Sequence, residues 1–500
     1  MAEEPGRDRE IETRGFPSFR RKLVEEGRLP PIWRPERGGR QPQRRPADRP
    51  NVLWLMADQL RADTFGFMGH PAVETPNIDR LAAEGLAFTR MYASEPVCVP
   101  SRASMLTGHY PYRNGAIANG YPMRPGEEVL TRLFAEAGWR TADVGKSHCG
   151  RAAGEIWEEQ YTIEDRFGAT KPSRVPFDPG NFPGVTFIAN RVCDNSDRVL
   201  HGKYPAGEKL TKSYILATEA QKWLYWDEDP RPFFLRVSFD DPHPPVIPPE
   251  PYYSMYGPED APPELWRDQD ESMQGKPQTV RDYWRYTHND EIALEDHKKH
   301  AACYFGLVSH LDAQIGRILD YLEELGLSQN TLVVLNSDHG HMIGEHGLVH
   351  KGPYCYEGVT RIPTVFRWPG RVPAGVREDV LAEGVDLMPT LLDLLGLEVP
   401  DGLDGRSLAA HVRGDGGTAR EYAFTQWQDY VFCVRGDRWK LTYYEPDGEG
   451  ELYDLDQDPW EKVNLYHDDA AAEMREHLLE QLERWRQQNA RPEDLPGPDD

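Results

Sequence analysis

The part of this chain whose residue types best suit a catalytic role is a cysteine followed closely by a proline and an arginine. The stretch Cys98-Val99-Pro100-Ser101-Arg102 comes shortly before Leu106-Thr107-Gly108. A free cysteine is usually a small buried hydrophobe, and for this stretch alone packing would be the better interpretation. Together with the clusters described next, Cys98 is predicted to be a thiol prepared for chemistry.

Acidic and imidazole side chains elsewhere in the chain have the character of metal ligands. Asp58 follows one apolar run, and Asp338-His339-Gly340 follows another. Oxygen and imidazole donors of this kind suit Ca²⁺, Mg²⁺ or Mn²⁺. Each residue alone would be better explained as a cap on the next helix. An Asp-His pair combined with a second aspartate after a strand predicts a single metal site.

Three cations and two histidines also follow apolar runs or the cysteine. They are Arg102, Lys146 and Lys351, with His148 and His243 as groups that can carry a proton. On a surface they would be solvated charges without a role. Beside a metal at strand ends they predict a pocket for an anionic tetrahedral group.

Four short apolar runs must position these residues. They cover 51–56, 139–144, 233–239 and 331–335, and each runs into one of the polar clusters. Runs of this length and composition are typical of strands buried on both faces. Because open parallel sheets bind ligands at the carboxyl ends of their strands, the four ends are expected to converge on one crevice.

With these motifs in place, the chain resembles the sulfatase family of the alkaline phosphatase superfamily over roughly residues 50–470. The resemblance is carried by 56–59, 75–82, 98–108, 145–148, 242–244, 338–340 with Lys351, and 451–455. It implies that a maturation enzyme oxidises Cys98 to formylglycine after synthesis. The hydrated aldehyde would supply the attacking oxygen and would expel sulfate by reforming its own aldehyde.

The resemblance also implies a role for each site residue. Hydrated Cys98 would bind one divalent cation, which would acidify the attacking hydroxyl. The other metal ligands would be Asp58, Gln59, Asp338 and His339. Arg102 would hold the diol, Lys146 and Lys351 would bind the ester oxygens, His243 would protonate the leaving oxygen, and His148 would accept the other diol proton.

The metal motif is a variant within the family. Asp58-Gln59 and Asp338-His339 stand where the commonest arylsulfatase pattern has Asp-Asp and Asp-Asn. This variant resembles the branch of choline sulfatases and phosphonate monoester hydrolases, which implies Ca²⁺ or Mn²⁺, with Mg²⁺ also open. Asn119 matches a substrate-contacting asparagine of that branch, although a turn within 118–120 explains it about equally well.

Three functions therefore compete. A sulfuric ester hydrolase acting on a small sulfate monoester is favoured, because Lys146 and His148 keep a Lys-x-His pair that phosphonate hydrolases of that branch replace. A phosphonate monoester or phosphodiester hydrolase on the same site is the alternative. A non-catalytic binding protein is disfavoured because Cys98 and its surrounding cations are all retained.

The resemblance and the order of predicted elements imply an α/β fold. We expect an alkaline-phosphatase-like α/β/α sandwich with a large mixed, mostly parallel sheet at 50–400. A smaller α+β subdomain is expected at 401–490, with an antiparallel sheet and one covering helix. Residues 1–49 are predicted to be a basic, proline- and glycine-rich arm, and 491–500 an acidic tail.

Two finer structural predictions follow from local spacing. Apolar residues at helical spacing predict a helix over 78–88. The stretches 150–212 and 252–285 have little periodicity and are rich in glycine, proline or aromatic residues. Long irregular segments of a compact domain are usually functional, so both are expected to form loops over the pocket mouth.

Composition argues against several classes of partner and location. The net charge of −26 argues against nucleic acid and against an anionic membrane surface. No apolar stretch approaches the ~20 residues of a membrane span. The six cysteines lack C-x-x-C spacing, which argues against a zinc knuckle or a disulfide framework. Since the first residues lack the apolar core of a signal peptide, a cytoplasmic location is expected. The basic arm could pack on a neighbouring subunit, so a homo-oligomer is possible.

Overall fold

A computed structural model describes most of the chain. The described residues are 49–150, 155–161, 186–188, 198–205, 207–226, 229–261 and 273–489. Except for Arg49, the predicted N-terminal arm lies outside these residues, as does the predicted acidic tail. Most of the loops predicted between 150 and 212, and part of those predicted between 252 and 285, also lie outside them.

The described residues form both strands and α-helices. The strands are β1 Asn51–Asp58, β2 Leu86–Tyr92, β3 Arg140–Gly145, β4 Glu159–Tyr161, β5 Thr186–Ile188, β6 Arg198–His201, β7 Phe233–Pro242, β8 Thr331–Ser337, β9 Met342–Ile343, β10 Val349–His350, β11 Arg361–Arg367, β12 Val376–Glu383, β13 Ala423–Trp427, β14 Val431–Arg435, β15 Trp439–Tyr444 and β16 Glu449–Asp454. The α-helices are α1 Pro76–Ala83, α2 Cys98–Thr107, α3 Pro111–Asn114, α4 Leu130–Glu136, α5 Lys212–Trp226, α6 Gln278–Tyr286, α7 Leu294–Glu324, α8 Glu357–Thr360, α9 Leu387–Leu394, α10 Ala409–Arg413 and α11 Ala472–Gln488. None of these helices combines the length and apolar character that crossing a bilayer requires.

Eight of the described strands form one mixed sheet, in the order β12-β2-β11-β8-β1-β7-β3-β4. The four strands predicted to carry the polar clusters, β8, β1, β7 and β3, are adjacent and parallel. Among the described strands of this sheet, β11 alone runs antiparallel to its neighbours. Because the four predicted strands are parallel, their carboxyl ends lie at one edge, which confirms the expected convergence.

The central strand β1 explains why the strands appear in the sequence as continuous apolar runs. Leu53 and Leu55 lie in a core that includes α1, α5 and α7. Val52, Trp54 and Met56 lie in a second core that includes α2, α4, α9 and α10. Side chains alternate across a strand, so a strand covered on both faces is apolar at every position. Helices on both faces confirm the predicted α/β/α sandwich.

The helix predicted over 78–88 is shorter than the spacing suggested. Helix α1 ends at Ala83, and Leu86 begins the strand β2, which pairs with β11 and β12. Gly85 separates the two elements, and a Cβ built there would lie 2.2 Å from the backbone oxygen of Phe366. Such close approach of two backbones requires glycine. Pairing within the sheet therefore overrides the helical spacing after residue 83.

The C-terminal part contains a separate antiparallel sheet, as predicted. β13, β14, β15 and β16 pair in sequence order. Helix α11 covers one face of this sheet through Leu478, Leu482 and Trp485. Tyr110 and Val385 of the larger part belong to the same hydrophobic core. Burial of apolar surface thus joins the small sheet to the main sandwich.

Candidate active site

Asp58 and Gln59 lie at the carboxyl end of β1, in the middle of the sheet. Asp58 is completely buried. Gln59 has φ = 67°, in the left-handed region that is unfavourable for residues with a Cβ. Its N–H donates to Asp338 Oδ1 at 3.0 Å, and its carbonyl accepts the Tyr304 hydroxyl at 2.8 Å. These two hydrogen bonds hold the strained residue in place.

Cys98 is the first residue of α2, and its thiol lies at the centre of the cluster. Its Sγ is 3.4 Å from His339 Nε2, 3.6 Å from Asp58 Oδ1, 3.1 Å from Lys351 Nζ and 3.8 Å from Lys146 Nζ. Burial alone would raise the pKa of this thiol, but the ammonium groups of Lys146 and Lys351 are the main charges that outweigh burial and hold the pKa well below its ordinary value. The surrounding charges therefore favour an anionic group at this position.

Four residues offer ligand atoms that all lie within 4.8 Å of one another: Asp58, Cys98, Asp338 and His339. His339 Nδ1 faces the Gly340 carbonyl oxygen at 2.9 Å, so Nδ1 carries the hydrogen and Nε2 offers a lone pair to the cluster. Two carboxylates and such an imidazole are the donors expected for a hard divalent cation. The residues therefore fit the cation that the resemblance implied.

Arg102, one turn after Cys98, is completely buried between the two carboxylates. Its Nε donates to Asp338 Oδ2 at 2.8 Å, and its Nη2 donates to Asp58 Oδ2 at 3.0 Å. Its Nη1 donates to the Lys146 carbonyl at 2.7 Å. A planar guanidinium has the fixed fork that this bridging geometry needs. Arg102 thus orients the two carboxylates that are proposed to bind the metal.

Lys146 and Lys351 approach Cys98 from two different elements. Lys146 follows β3, and its Nζ lies 2.5 Å from Asp58 Oδ2. Burial would lower the pKa of Lys146, but the negative charges of Asp58 and Cys98 raise it above its ordinary value. Lys351 follows β10, and its Nζ lies 3.0 Å from His339 Nε2. Two ammonium groups are therefore available to a bound anion.

The two predicted proton carriers lie beside the cluster. His148 is exposed, and its side chain contributes to lowering the pKa of Cys98. His243 follows β7, and its Nδ1 lies 2.8 Å from the Pro244 carbonyl oxygen. Because a carbonyl only accepts, Nδ1 of His243 carries a hydrogen. Burial and the charge of Cys98 raise the pKa of Asp58, but Lys146, His243 and Arg102 together lower it below its ordinary value.

Asn119 is exposed and contacts the backbone beside Cys98. Its Oδ1 accepts the N–H of Val99 at 3.1 Å, in the first turn of α2. The structure therefore brings together the whole set of residues predicted for the site: Asp58, Gln59, Cys98, Arg102, Asn119, Lys146, His148, His243, Asp338, His339 and Lys351.

Three neighbours of the site had no role assigned from the sequence. Ser238 Oγ accepts Arg102 Nη1 at 3.0 Å, and Tyr304 binds the Gln59 backbone. His341 Nδ1 lies 2.5 Å from Gln59 Nε2. His341 is close to the metal motif in sequence, so it could have been suspected. Tyr304 lies in a long amphipathic helix, where an aromatic residue predicts packing.

Comparison with known proteins agrees with this geometry. A family model described as "Sulfatase" matches residues 50–397, and one described as "N-sulphoglucosamine sulphohydrolase, C-terminal" matches residues 344–488. The chain is 31% identical over 468 residues to an arylsulfatase of Clostridium perfringens, covering 87% of this chain and 95% of that protein. It is 30% identical over 441 residues to a choline-sulfatase of Rhizobium meliloti, covering 83% of this chain and 82% of that protein.

Solved structures resemble the chain over nearly the same span. The crystal structure of a phosphonate monoester hydrolase of Agrobacterium radiobacter superposes with a TM-score of 0.74 and 28% sequence identity. The match covers 88% of this chain and 96% of that protein. The similarity therefore includes both the main sandwich and the C-terminal sheet.

Proposed function

Since the chain belongs to the sulfatase family and is a sulfatase, we propose that it hydrolyses a small sulfate monoester through formylglycine made from Cys98 and one divalent cation. The observation that carries the proposal is the position of Cys98 Sγ. It lies within 4 Å of Asp58, of His339 and of both lysines. A nucleophile at this position is in contact both with residues that can bind a metal ion and with residues that can bind the anionic substrate.

In the proposed reaction, formylglycine and a divalent cation together supply the reactive oxygen. Formylglycine, once formed by a maturation enzyme, would provide the attacking oxygen and release sulfate by reforming its aldehyde. A bound cation, for which Asp58, Asp338, His339 and Gln59 are the proposed ligands, would acidify that oxygen. We propose Ca²⁺ or Mn²⁺, because these donors are mainly oxygen atoms and an imidazole.

The chain's own side chains bind the ester and move protons. Lys146 and Lys351 would hold the nonbridging ester oxygens through their ammonium groups. His243 would donate from Nε2 to the leaving oxygen, since its Nδ1 is engaged by the Pro244 carbonyl. His148, whose side chain influences the pKa of Cys98, would accept the second proton.

A phosphonate monoester or phosphodiester hydrolase is the second candidate. The glutamine and histidine of the metal motif, Gln59 and His339, favour it, as does the similarity to a phosphonate monoester hydrolase. These phosphorus substrates carry one negative charge, as a sulfate monoester does. The lysine pair alone therefore does not discriminate between them.

A substrate panel tests the choice. The protein would be produced together with a formylglycine-generating enzyme. We would then measure kcat/KM for four substrates: phenyl sulfate, an alkyl sulfate, the phenyl monoester of a phosphonate, and a phosphodiester. We expect the highest value for a sulfate, and Cys98→Ala should remove turnover of all four while retaining the fold. A higher kcat/KM for the phosphonate monoester than for either sulfate would replace the proposed function with the second candidate.

Mass spectrometry tests the modification separately. The peptide that contains Cys98 should show loss of the sulfur and gain of an aldehyde in protein made with the maturation enzyme. Full activity in protein that carries only the unmodified thiol would contradict the proposed nucleophile.

A further inference from the structure

Two buried histidines form a chain of contacts that leads away from Gln59. His341 Nδ1 lies 2.5 Å from Gln59 Nε2, and His341 Nε2 lies 2.8 Å from His300 Nε2. His300 Nδ1 lies 2.8 Å from the carbonyl oxygen of Leu200 in β6. Both histidine rings are completely buried. The chain therefore connects a backbone carbonyl to a proposed metal ligand without access to water.

The hydrogens of this chain can be assigned from its far end. The Leu200 carbonyl only accepts, so His300 Nδ1 must carry a hydrogen. Burial lowers the pKa of His300 to about 3, so the ring is neutral and its Nε2 accepts. His341 must then donate from Nε2, which leaves its Nδ1 as an acceptor. The only group of the Gln59 side chain that can donate to it is the NH₂.

We propose that His300 and His341 are positioning residues that orient the amide of Gln59, so that its oxygen rather than its nitrogen faces the cation site. This inference rests on the proposed metal site. Lys351 Nζ lies 3.4 Å from Gln59 Oε1, on the side expected for an oxygen. In the reverse orientation the amide hydrogens would face the Lys351 ammonium group and the cation, which is electrostatically unfavourable.

Gln59 needs such an arrangement more than a carboxylate would. The two ends of its amide have nearly the same size, so packing alone cannot distinguish them. Only hydrogen bonding decides which end faces the site. A carboxylate would present an oxygen in either orientation, and it would not require a fixed histidine tautomer behind it.

Helix α7 holds the backbone and the side chain of Gln59 together. His300 and Tyr304 lie four residues apart on this helix and therefore on the same face. The Tyr304 ring stacks on His341, with centroids 4.9 Å apart and planes inclined by 7°. The Tyr304 hydroxyl also donates to the Gln59 carbonyl. One helix thus fixes the ligand and the histidine that orients it.

The tautomers can be measured in the wild-type protein without metal. Nitrogen-15 NMR of histidine-labelled protein distinguishes Nδ1–H from Nε2–H in neutral rings, and His300→Phe and His341→Phe identify the signals. We expect His300 to carry its hydrogen on Nδ1 and His341 on Nε2. A hydrogen on Nδ1 of His341 would overturn the inference whether or not the metal site exists.

Metal affinity tests the consequence for the site. In metal-free protein titrated with Ca²⁺ or Mn²⁺ alone, His300→Phe should weaken binding by about 10- to 100-fold, as loss of a group that orients a ligand does. His297→Phe is the matched control. His297 lies one turn earlier on α7, is equally buried, and its ring nitrogens have no hydrogen-bond partner among the described residues. Its replacement should leave affinity unchanged.

A double variant separates this inference from the proposed function. Gln59→Leu should weaken metal binding, and adding His300→Phe to it should cause no further loss, because both changes remove the same ligand. If the wild-type protein binds neither cation, the metal part of the proposed function fails and the tautomer measurement still decides the inference. Equal affinity of His300→Phe and wild type would overturn the positioning role.

Discussion

Asp58 and Asp338 are two buried carboxylates whose charges need compensation. Arg102 contacts both of them, and Lys146 contacts Asp58. Taking an ion out of water costs several kcal/mol unless it is paired. These cations offset the cost of burying the two carboxylates, and Lys146, His243 and Arg102 hold the pKa of Asp58 below its ordinary value against burial and the charge of Cys98, which would raise it. At the residue scale, the neighbouring cations therefore stabilise negative charge in a part of the site that is buried from water.

Removing one of these charges should affect the metal before the fold. Asp338→Asn is nearly isosteric, but it replaces a charged ligand with a neutral one, so we expect Ca²⁺ or Mn²⁺ affinity to fall at least about tenfold. Isothermal titration of metal-free protein measures this change. Asp143→Asn is the matched control, since Asp143 forms an equally buried bidentate pair with Arg236 away from the metal donors. Equal affinity losses in the two variants would contradict the ligand assignment.

The role of His243 can be tested through the leaving group. A general acid helps most when the departing oxygen is strongly basic, and such help contributes about 10²- to 10⁴-fold. His243→Ala should therefore slow hydrolysis of an alkyl sulfate much more than that of nitrophenyl sulfate. Steady-state kcat/KM for the two esters gives the comparison. Equal losses would show that His243 does not protonate the leaving oxygen.

At the scale of elements, the site depends on four parallel strand ends and the beginning of α2. The helix N-terminus carries partial positive charge from its free N–H groups, and Cys98 lies in its first turn. Asn119 satisfies one of those groups, on Val99. Helix α7 then fixes the end of β1 through Tyr304. The elements thus supply the electrostatics and the rigidity that single residues could not.

Loss of one hydroxyl from α7 should destabilise the protein. The buried Tyr304 hydroxyl donates to the Gln59 carbonyl and accepts the Arg61 N–H at 3.0 Å. Tyr304→Phe leaves both backbone groups without this partner, at a cost of about 1–3 kcal/mol in unfolding free energy. Denaturant unfolding measures the change. Tyr321→Phe on the same helix removes a hydroxyl without a described hydrogen bond, and we expect its effect to stay within about 0.5 kcal/mol.

At the scale of the whole molecule, buried ion pairs join the C-terminal sheet to the sandwich. Lys440 of β15 lies 3.0 Å from Glu357 of α8 and 2.8 Å from Glu461. Burial would raise the pKa of Glu357, but Lys440, Arg435 and Arg361 outweigh it and lower the pKa to about 2. Glu357 therefore stabilises the folded protein above its ordinary pKa, and this contribution is lost as pH falls from about 4.5 towards 2.

Replacement of the shared lysine should destabilise the protein in a pH-dependent way. Lys440→Met removes the cation that Glu357 shares with the buried Glu461 and leaves Glu357 only its longer contacts with Arg435 and Arg361, so we expect a loss of about 3–5 kcal/mol at pH 7. The difference from wild type should shrink towards pH 3, because there the carboxylates can be protonated. Unfolding midpoints in guanidinium at both pH values check this expectation. Arg80→Met removes an exposed pair with Asp320 and should cost less than about 1 kcal/mol at either pH.

The sequence alone determined the fold class, the family and the set of residues that meet at the site. Buried parallel strands are apolar throughout, and their polar ends converge wherever the strands are adjacent. The family itself was indicated by the resemblance of the motifs, not by the strand pattern. The small antiparallel sheet and its covering helix were likewise readable from local periodicity. Each of these features depends on a short stretch of chain.

The tertiary structure decided how the site residues are oriented. The bridging of Asp58 and Asp338 by Arg102, the end of α1 at Ala83, and the amide orientation of Gln59 could not be predicted from local spacing. Gln59 and His341 are 282 positions apart, and Arg102 and Asp338 are 236 apart. Hydrogen-bond direction and charge pairing depend on atoms that only folding brings within 3 Å, so no local pattern in the sequence carries them.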